Sequence, residues 1–459
     1  MKKYRQLALI IITALSVGTL LMYRHEYLKL RYVLEVLNFF GSPQETLNSN
    51  CAVLNETFLD RKQRFYRFSS PPPTWTKVDQ HFIYSAFFRR DKDKDRVKAI
   101  AIGPHSSFYS FNCRVWYDSN GIINSVKGRF HYTSVYHSKS KEGNVMSLYM
   151  YTLICEPEEN HDTVYGSHIP YGVIFSNGSS IGSRVFIPVH GHVSDSNSNG
   201  QSVVCVKPDK SGLQNSALVE FISFHHGIGV TDFIVYDNGV QHGILPILQA
   251  LAGREGFSES MSILSWNFPF SDAFIEDMVI KHDCLLRAAD KVPLVIVTSW
   301  QDYIIPKTNN SIKQMFAPFI AQQLPINLRI SNFICCTNYP DNKQSQLSWP
   351  LALRKTQCLD PNTLLNPVFI HFDKYENLDS GLLKNSQSKV LPATTGIIHQ
   401  YTDCDDYLSK LKLVPDKPIL AKFLGNFMTD KLCTLWKSGS LTKLMHSNFV
   451  GLNLQDFVS

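Results

Sequence analysis

The chain lacks a concentrated run of basic residues. Its 459 residues include 45 Lys and Arg against 39 Asp and Glu, and the resulting formal charge of +6 is small for this length. Nucleic-acid-binding domains gather their positive charge into a patch or stripe, so nucleic acid is not an expected partner. The composition also lacks the bias of a disordered or fibrous chain, because 44% of the residues are hydrophobic. We expect a full core and two domains.

The ten cysteines lack the spacing of a zinc site, since no C-x-x-C pair and no Cys/His cluster of the zinc type occurs among them. All ten follow residue 50, and their number is even. Disulfides formed in an oxidising compartment are the simplest explanation. Three N-x-S/T sequons, at Asn55, Asn177 and Asn309, are predicted glycosylation sites and agree with that compartment.

Charge is absent from residues 7–23, LALIIITALSVGTLLMY. A helix of that length reaches roughly 25 Å, which suits the thinner membranes of the early secretory pathway. No small-x-small cleavage site precedes the polar sequence that follows, so a retained signal anchor is favoured over a cleaved signal peptide. Residues 1–6, which contain Lys2, Lys3 and Arg5, are the predicted cytoplasmic tail. We expect a single-pass type II membrane protein with a lumenal body, in the Golgi or the endoplasmic reticulum.

The rest of the chain divides by its patterning. Residues 24–75 are predicted to form a stem, which is rich in proline near its end. From 76 to 203, short segments of aromatic and β-branched residues alternate with Gly, Pro, Asn and Ser, as is typical of an antiparallel β region. From 204 to 459, helical periodicity alternates with apolar strand segments. That alternation predicts an α/β domain with a mainly parallel, Rossmann-like sheet.

Two polar clusters follow apolar strand segments in this second domain. Tyr236, Asp237 and Asn238 end the segment DFIVYDN, while Ser299 and Gln301 follow the segment LVIVT. Ligands of open parallel sheets bind beyond the carboxyl ends of the strands. We therefore expect a ligand site where these two clusters meet.

Five segments in order resemble glycosyltransferase family 92. They are YSAFFRRDKDKDRVKAIAI (84–102), VCVKP (204–208) with LVEFISFHHGIGVTDFIVYDNG (218–239), HDCLLRA (282–288), TSWQDYIIP (298–306) and KVLPATTGIIH (389–399). The resemblance implies a type II membrane protein of the secretory pathway with a GT-A fold, a nucleotide-sugar donor and usually Mn²⁺. It further implies a β-1,4-galactosyltransferase-like enzyme that transfers galactose from UDP-galactose with inversion.

The resemblance places an acidic D-x-D-E sequence where this chain has Ser299, Gln301 and Asp302. Two carboxylates two residues apart hold a divalent cation against the diphosphate, and the cation neutralises the departing UDP. Ser and Gln offer oxygen ligands without charge, so the implied Mn²⁺ site is reduced to Asp302, with His399 as a second predicted ligand. A literal D-x-D at Asp403–Asp405 is the alternative, a relocated metal site.

The remaining site assignments follow from the same resemblance and from the strand ends. The predicted donor-binding residues are Tyr236, Asp237, Asn238, Ser299 and Gln301. Asp237 and Asn238 are expected on the nucleotide side of the site, and the predicted metal ligands near the diphosphate. The catalytic residue is unassigned, because the acids between Asp302 and His399 include several equivalent candidates for the base: Asp341, Asp360, Asp373 and Glu376.

Two functions of different classes fit these observations. The first is transfer of a hexose, galactose in the implied case, from a UDP-sugar to a glycan acceptor on protein or lipid. The second is a catalytically silent GT-A-like domain that binds glycans or partner transferases, for which Ser299 and Gln301 are the main reason. A third hypothesis is a metal-independent transferase, in which basic side chains such as Lys307, Arg354 and Lys355 replace the cation at the diphosphate.

Overall fold

Twenty strands and four helices form the regular structure of the residues that the computed structural model describes. The described residues are 75–91, 94–105, 108, 111–119, 122–137, 147–158, 169–177, 185–191, 202–211, 213, 215–238, 245, 260–288, 291–307, 311–320, 326–341, 351–355, 357–359, 368–372, 388–404 and 413–415. All of them belong to one unit, which spans Leu54–Ser459. With so many strands and so few helices, this part of the chain is mainly β.

The first eight strands form one sheet, and seven of them close into a barrel. They are β1 (Thr76–Val78), β2 (His81–Asp91), β3 (Lys94–Pro104), β4 (Phe111–Ser119), β5 (Ile122–His137), β6 (Leu148–Pro157), β7 (Gly172–Asn177) and β8 (Val185–His190). They pair in the order β2-β3-β6-β5-β4-β7-β8, and β8 pairs again with β2, while β1 is added to β2. Neighbouring strands are antiparallel except β8 with β2. Closure leaves the seven barrel strands without a free edge.

The wall of the barrel separates two hydrophobic cores. On β3, Val97, Ala99 and Ala101 lie in the barrel interior, whereas Ile100 and Ile102 pack in the core outside it. Successive residues of a strand point to opposite faces, so the alternation on β3 explains how one strand serves both cores. The barrel is therefore attached to the rest of the unit through buried apolar contacts.

The remaining strands form two further sheets. Their bounds are β9 (Ser202–Val206), β10 (Asp232–Asp237), β11 (Ser260–Ser265), β12 (Leu294–Thr298), β13 (Asp302–Pro306), β14 (Ile326–Ile330), β15 (Asn332–Cys336), β16 (Gln357–Leu359), β17 (Val368–Phe372), β18 (Ser388–Val390), β19 (Gly396–Thr402) and β20 (Leu413–Pro415). The second sheet has the order β11-β10-β9-β12-β17-β14-β18, and the third has the order β13-β19-β15-β16-β20.

Four helices are described. They are α1 (Asn215–Gly227), α2 (Ala273–Ala288), α3 (Ile312–Ile320) and α4 (Leu351–Arg354). Helix α2 lies between the barrel and the second sheet, because Ile275 and Ile280 pack in one core with residues of both. Asp272 caps this helix, since its Oδ1 accepts a hydrogen bond from Ile275 N at 3.0 Å. A disulfide, Cys205–Cys284, ties α2 to β9.

A buried polar network also joins the barrel to the second sheet through α2. The carboxylate of Asp283 accepts hydrogen bonds from Ser85 Oγ of β2 at 2.5 Å and from Tyr236 OH of β10 at 2.6 Å. It also accepts two from the Arg287 guanidinium at 2.9 Å each. The guanidinium in turn lies 5.2 Å from the centre of the Phe87 ring. Ser85 and Tyr236 are thus donors from strands that must dock on α2, whereas Arg287 belongs to the same helix as Asp283.

The predicted fold class, an α/β protein with a mainly parallel Rossmann-like sheet of the GT-A kind, is wrong. Strands β9, β10, β11 and β12 are parallel, but β17 is antiparallel to both of its neighbours. The closed barrel and the third sheet add further strands to the described part of the chain. Local periodicity reports how each strand is buried; it does not report the direction of partners that come from distant parts of the chain.

The predicted anchor at residues 7–23 lies outside the described residues, as do the predicted tail and nearly all of the predicted stem. Among the helices of the described part, none is both long and apolar enough to cross a membrane.

The predicted disulfides are confirmed for eight of the ten cysteines. The pairs are Cys113–Cys155, Cys205–Cys284, Cys335–Cys358 and Cys336–Cys404. The other two cysteines, Cys51 and Cys433, lie outside the described residues. Of the three predicted glycosylation sites only Asn177 is described. It ends β7, and its side-chain amide donates a hydrogen bond to Asp79 Oδ2 at 3.4 Å.

Candidate functional site

The carboxyl ends of three parallel strands meet at one edge of the second sheet. β9 lies between β10 and β12 and is parallel to both. Lys207 N, directly after β9, donates a hydrogen bond to Thr298 O at 2.9 Å, so the ends of β9 and β12 are held level. Asn238 Nδ2, directly after β10, donates to Asp209 O at 2.8 Å. The geometry thus brings the two sequence clusters, around 238 and 299, to the same edge.

A cleft of about 410 Å³ opens at this edge. It is bordered by the loop after β9, the first two turns of α2 and the turn after β12. The lining residues are Lys207, Pro208, Asp209, Lys210, Ser211, Ala273, Glu276, Asp277, Ile280, Ser299, Trp300 and Gln301. Two of the predicted donor-binding residues, Ser299 and Gln301, are therefore in its wall.

The loop after β9 is shaped by a single carboxylate. Asp209 accepts hydrogen bonds from Ser211 N at 2.8 Å, Ser211 Oγ at 2.7 Å and Leu213 N at 2.7 Å. An aspartate that bonds backbone N–H groups two to four residues ahead stabilises a tight turn. Gln301 Nε2 reaches across the cleft edge to Ser211 Oγ at 3.2 Å. The loop and the turn after β12 are therefore linked side chain to side chain.

Lysine–carboxylate pairs occupy the α2 side of the cleft. Asp277 Oδ1 lies 2.5 Å from Lys207 Nζ, and its Oδ2 lies 2.5 Å from Lys281 Nζ. Lys210 pairs with Glu276, whose other oxygen accepts a hydrogen bond from Trp266 Nε1 at 2.9 Å. Two ammonium groups therefore share the carboxylate of Asp277.

The protonation of this cluster follows from its burial and its partners. Burial alone would raise the pKa of Asp277, but the two neighbouring ammonium groups lower that pKa below its ordinary value. Burial lowers the pKa of Lys281, and Asp277 offsets part of that shift. Asp277 is accordingly a carboxylate at neutral pH.

The carboxylate of Asp302 holds the backbone of the turn after β12. Its Oδ2 accepts hydrogen bonds from Ser299 N at 3.0 Å and from Thr298 Oγ1 at 3.2 Å. Its Oδ1 is buried and has no hydrogen-bond partner among the described residues. Burial raises the pKa of this carboxyl group, although the hydrogen bonds from Ser299 and the charge of Lys207 oppose the shift. Asp302 lies behind the cleft wall and is not part of its lining.

The two predicted metal ligands do not face each other. Across β13 and β19, Asp302 is paired with Gln400, and His399 is paired with Tyr303. Because neighbouring residues of a strand point to opposite faces, Asp302 and His399 lie on opposite faces of this pair of strands. His399 Nδ1 is 3.2 Å from Tyr401 OH.

A second group of potential ligand atoms surrounds His399. A ring nitrogen of His399 and the sulfurs of Cys335 and Cys358 lie within 4.8 Å of one another. The two sulfurs form a disulfide, so they are not thiolates that could bind a metal. The middle residue of the alternative D-x-D, Cys404, is bonded to Cys336. Asp403 of that sequence pairs with Thr337 Oγ1, and residue 405 lies outside the described residues.

The three residues predicted at the end of β10 have different surroundings. The hydroxyl of Tyr236 donates to Asp283 in the buried network, so this side chain points into the core behind the sheet. Asp237 is buried, and its carbonyl accepts a hydrogen bond from Trp266 N at 2.8 Å. Asn238 is half-buried and holds the loop after β9 through Asp209. The side chain of Asn238 thus contacts a cleft-lining residue.

The candidate base that is described, Asp341, belongs to a separate cluster. Its carboxylate lies 3.0 Å from Arg354 and 2.8 Å from Lys355. The hydrogen bond from Lys355 lowers the pKa of Asp341. Arg354 and Lys355, which were candidates for replacing a cation, are thus paired here and do not line the cleft. The other three candidate bases lie outside the described residues.

Sequence reasoning missed the charged residues of the cleft, namely Lys207, Asp209, Lys210, Glu276 and Asp277. The signal for the two lysines was present, because both follow β9 directly and β9 is the central parallel strand. The signal for Glu276 and Asp277 was weaker. They lie in the first turns of a helix whose packing against the end of β9 depends on the Cys205–Cys284 disulfide.

Residues 200–416 match the model of glycosyltransferase family 92. The predicted resemblance to this family is confirmed. The whole lining of the cleft lies within the family 92 segment. Because the family consists of glycosyltransferases, glycosyl transfer is the class of reaction that the match supports.

Solved structures show weaker similarity. S. aureus TarS 1-349 is 13% identical, covers 56% of this chain and 77% of that chain, and has a TM-score of 0.26. The nucleoside-diphosphate-sugar pyrophosphorylase from Vibrio cholerae RC9 is 10% identical, covers 44% of this chain and 92% of that chain, and has a TM-score of 0.22. Similarities at these scores carry no argument about fold or chemistry. No curated protein sequence matches the chain.

The divalent cation implied by family 92 does not fit the described residues of the cleft. Mn²⁺ needs oxygen ligands, of which carboxylates contribute the charge. The carboxylates in the lining belong to Asp209, Glu276 and Asp277. The first is bonded by backbone N–H groups, and the other two by ammonium groups. A cation placed there would also face the positive charges of the lysines.

Proposed function

We propose that this chain is a glycosyltransferase that moves a hexose, galactose in the first instance, from UDP-galactose to a glycan acceptor on protein or lipid. The observation that carries the proposal is the cleft at the carboxyl ends of β9, β10 and β12 within the family 92 segment. Its volume lies within the range of small-molecule sites, roughly 300–1,000 Å³. The carboxyl ends of adjacent parallel strands are also where nucleotides bind in other proteins.

In the proposed reaction, an oxygen of the acceptor glycan forms a bond to the anomeric carbon of the donor sugar. The bond between that carbon and the diphosphate breaks, and its electron pair stays with UDP. The acceptor hydroxyl gives its proton to a general base. Attack from the face opposite UDP inverts the anomeric configuration. The step needs fixed positive charge or hydrogen-bond donors at the diphosphate, because negative charge develops there as UDP departs.

The proposal gives the cleft residues separate parts in binding. The side-chain amides of Asn238 and Gln301 donate to Asp209 and Ser211 of the loop after β9, and the remaining donor and acceptor positions of the two amides suit the polar edges of a nucleoside. Ser299 adds a hydroxyl at the end of β12. Asp302 acts indirectly, since it holds the backbone of the turn that carries Ser299 and Gln301.

A decisive experiment uses the full chain, purified in detergent, with UDP-galactose, UDP-glucose and UDP-N-acetylglucosamine and a panel of glycan acceptors. We expect galactose to be incorporated faster than the other two sugars. Lower transfer by the Gln301→Ala variant would locate the reaction in the cleft. Transfer of a different sugar would keep the transferase and correct the donor.

The alternative function is a catalytically silent domain that binds glycans or partner transferases. The neutral residues Ser299 and Gln301, where the family pattern is acidic, are the specific observation in its favour. The double variant Ser299→Asp with Gln301→Asp separates the two functions. Native protein that binds UDP without transfer, together with Mn²⁺-dependent transfer by the double variant, would support the silent domain.

We also propose a lumenal location in the Golgi or endoplasmic reticulum, with residues 7–23 as a type II anchor. The four disulfides support an oxidising compartment. Enzymatic removal of N-glycans from the chain expressed in animal cells should increase its electrophoretic mobility. The combined variant Asn55→Gln, Asn177→Gln and Asn309→Gln should show no such change. A native chain with unchanged mobility after treatment would count against lumenal exposure.

A further inference from the structure

We infer that the ammonium groups of Lys207 and Lys210 hold the diphosphate of the donor in place of a divalent cation. The inference rests on the proposed use of a nucleotide-sugar donor and concerns the charge chemistry of the same cleft. Both lysines line the cleft, and both follow β9 at the edge where the three strand ends meet. A donor diphosphate would lie between them and the turn after β12.

The first step concerns the turn after β12. The residues at the acidic positions of the family pattern, Ser299 and Gln301, carry no charge, and each already makes a contact within the site. Ser299 N donates to Asp302, and Gln301 Nε2 donates to Ser211. An amide and a hydroxyl beside a diphosphate donate hydrogen bonds to it without competing for its charge. The turn is therefore suited to face an anion directly.

The second step concerns the supply of positive charge. The side chain of Lys207 is 29% exposed and that of Lys210 is 63% exposed, so an anion in the cleft can reach both. An ammonium group has three N–H donors, and a carboxylate oxygen accepts one of them. Each lysine can therefore keep its carboxylate partner on α2 while it donates to a phosphate oxygen.

The third step concerns the balance around Asp277. This carboxylate is shared by Lys207 and Lys281, so the three groups together carry one excess positive charge. Lys281 also keeps Asp277 paired when Lys207 turns towards a ligand. With Asp209 and the Lys210–Glu276 pair counted as well, the charges around the cleft balance, so the attraction for a diphosphate comes from charge-assisted hydrogen bonds of the two lysine ammonium groups, which are the strong kind.

The test measures UDP binding by the full chain in detergent, by calorimetric titration and by thermal shift, in EDTA and in Mn²⁺. We expect the same Kd in both conditions and much weaker binding of uridine, which lacks the diphosphate. Removal of one charge-assisted hydrogen bond should weaken UDP binding roughly tenfold or more, so Lys207→Met and Lys210→Met should each raise the Kd in EDTA by that factor.

Matched controls keep the test sharp. Lys313→Met removes an exposed lysine of α3, away from the cleft lining, and should leave the Kd unchanged. Lys207→Arg keeps the positive charge and should restore much of the affinity that Lys207→Met loses. Both cleft variants should fold, since Asp277 retains Lys281 and Lys210 is largely exposed.

Two other results would overturn the inference, and they are distinguishable. If UDP binding requires Mn²⁺ and is insensitive to both lysine variants, a divalent cation holds the diphosphate and the ammonium groups do not. The proposed transferase function would then still stand. If the natively folded chain binds UDP in neither condition, it does not use a UDP-sugar donor, and the proposed function is ruled out as well.

Discussion

The barrel and the second sheet deal with their strand edges in different ways. The barrel closes through β8 and β2, so its side chains divide between a filled interior and an outer face that packs on α2. The second sheet stays open, and the ends of β9, β10 and β12 lie side by side around a cleft. A closed sheet contributes stability, whereas aligned parallel strand ends place polar loops together. The comparison indicates that the barrel supports the site and the second sheet forms it.

The largest expected loss of stability comes from removing one disulfide from each of the two regions. Cys113–Cys155 lies within the barrel and spans 42 residues, while Cys205–Cys284 joins β9 to α2 and spans 79. The entropy of closing such loops predicts that either loss, made by paired Cys→Ala changes, costs about 4 kcal/mol of unfolding free energy in urea titrations. We expect only the change at Cys205 and Cys284 to weaken UDP binding, because the cleft residue Lys207 follows Cys205 closely in the chain. Equal weakening in both variants would mean that the barrel shapes the cleft.

The next effect concerns the joint between the two regions. Asp283→Asn removes the charge that compensates the buried Arg287 guanidinium and disturbs the hydrogen bond from Ser85 in the barrel. Breaking a buried ion pair leaves an uncompensated charge, and we expect a loss of roughly 3 kcal/mol in unfolding free energy. Glu158→Gln, an exposed change just after β6, is the control and should lie within about 0.5 kcal/mol of the native chain. A stable Asp283→Asn variant would show that apolar contacts alone hold the barrel in place.

Much of the local structure could be predicted from the sequence. The antiparallel β pattern predicted from residue 76 onwards contains β1 to β8, the segment LVIVT is β12, and DFIVYD is β10. What failed was the assembly of these elements. Closure of the barrel depends on the pairing of Ala86 with Val189, and the antiparallel β17 pairs with β12 from far along the chain. Such pairings are set by tertiary packing, which a periodicity of two residues does not encode.

For the candidate site, too, some positions could be predicted from the sequence and others could not. Parallel strand ends correctly brought Asn238 and the 299–301 turn together, since β9, β10 and β12 share one edge. The spacing of Asp302 and His399 in the sequence does not reveal whether the two side chains face each other. They lie on opposite faces because of the register of β13 with β19. The position of the α2 carboxylates at the cleft could not be predicted either. Their place at the cleft follows from how α2 docks, which no local pattern reveals.

A smaller effect concerns the contact between α1 and the third sheet and its response to acid. His225 of α1 is fully buried, with Nδ1 2.9 Å from Phe221 O and its ring against Tyr303, and burial lowers its pKa to about 4. The unfolded chain has the ordinary value near 6.5, so it binds the proton first as the pH falls. Stability is therefore full above about pH 6.5 and declines towards pH 4, by roughly 2 kcal/mol at pH 5.

Urea titrations of the His225→Gln variant from pH 7 to pH 4 check this assignment. The variant is expected to start with lower stability but to lose much less of it between pH 6.5 and pH 4, because Gln does not titrate. His105→Gln, at an exposed position after β3, is the matched control and should keep the native pH profile. Native and His225→Gln profiles of the same slope would assign the acid sensitivity to other groups.

The smallest effect separates the two ways in which the cleft could handle a diphosphate. Asp277→Asn removes the carboxylate that holds Lys207 and Lys281, so both ammonium groups become available to an anion. If the lysines bind the diphosphate, the Kd for UDP in EDTA should fall about threefold, in line with the sub-kcal/mol worth of a partly exposed ion pair. If Asp277 were instead a cation ligand, the same change would weaken UDP binding in Mn²⁺ and leave the Kd in EDTA unchanged. The direction of the shift, measured with Glu158→Gln as the control, therefore decides between ammonium groups and a metal ion.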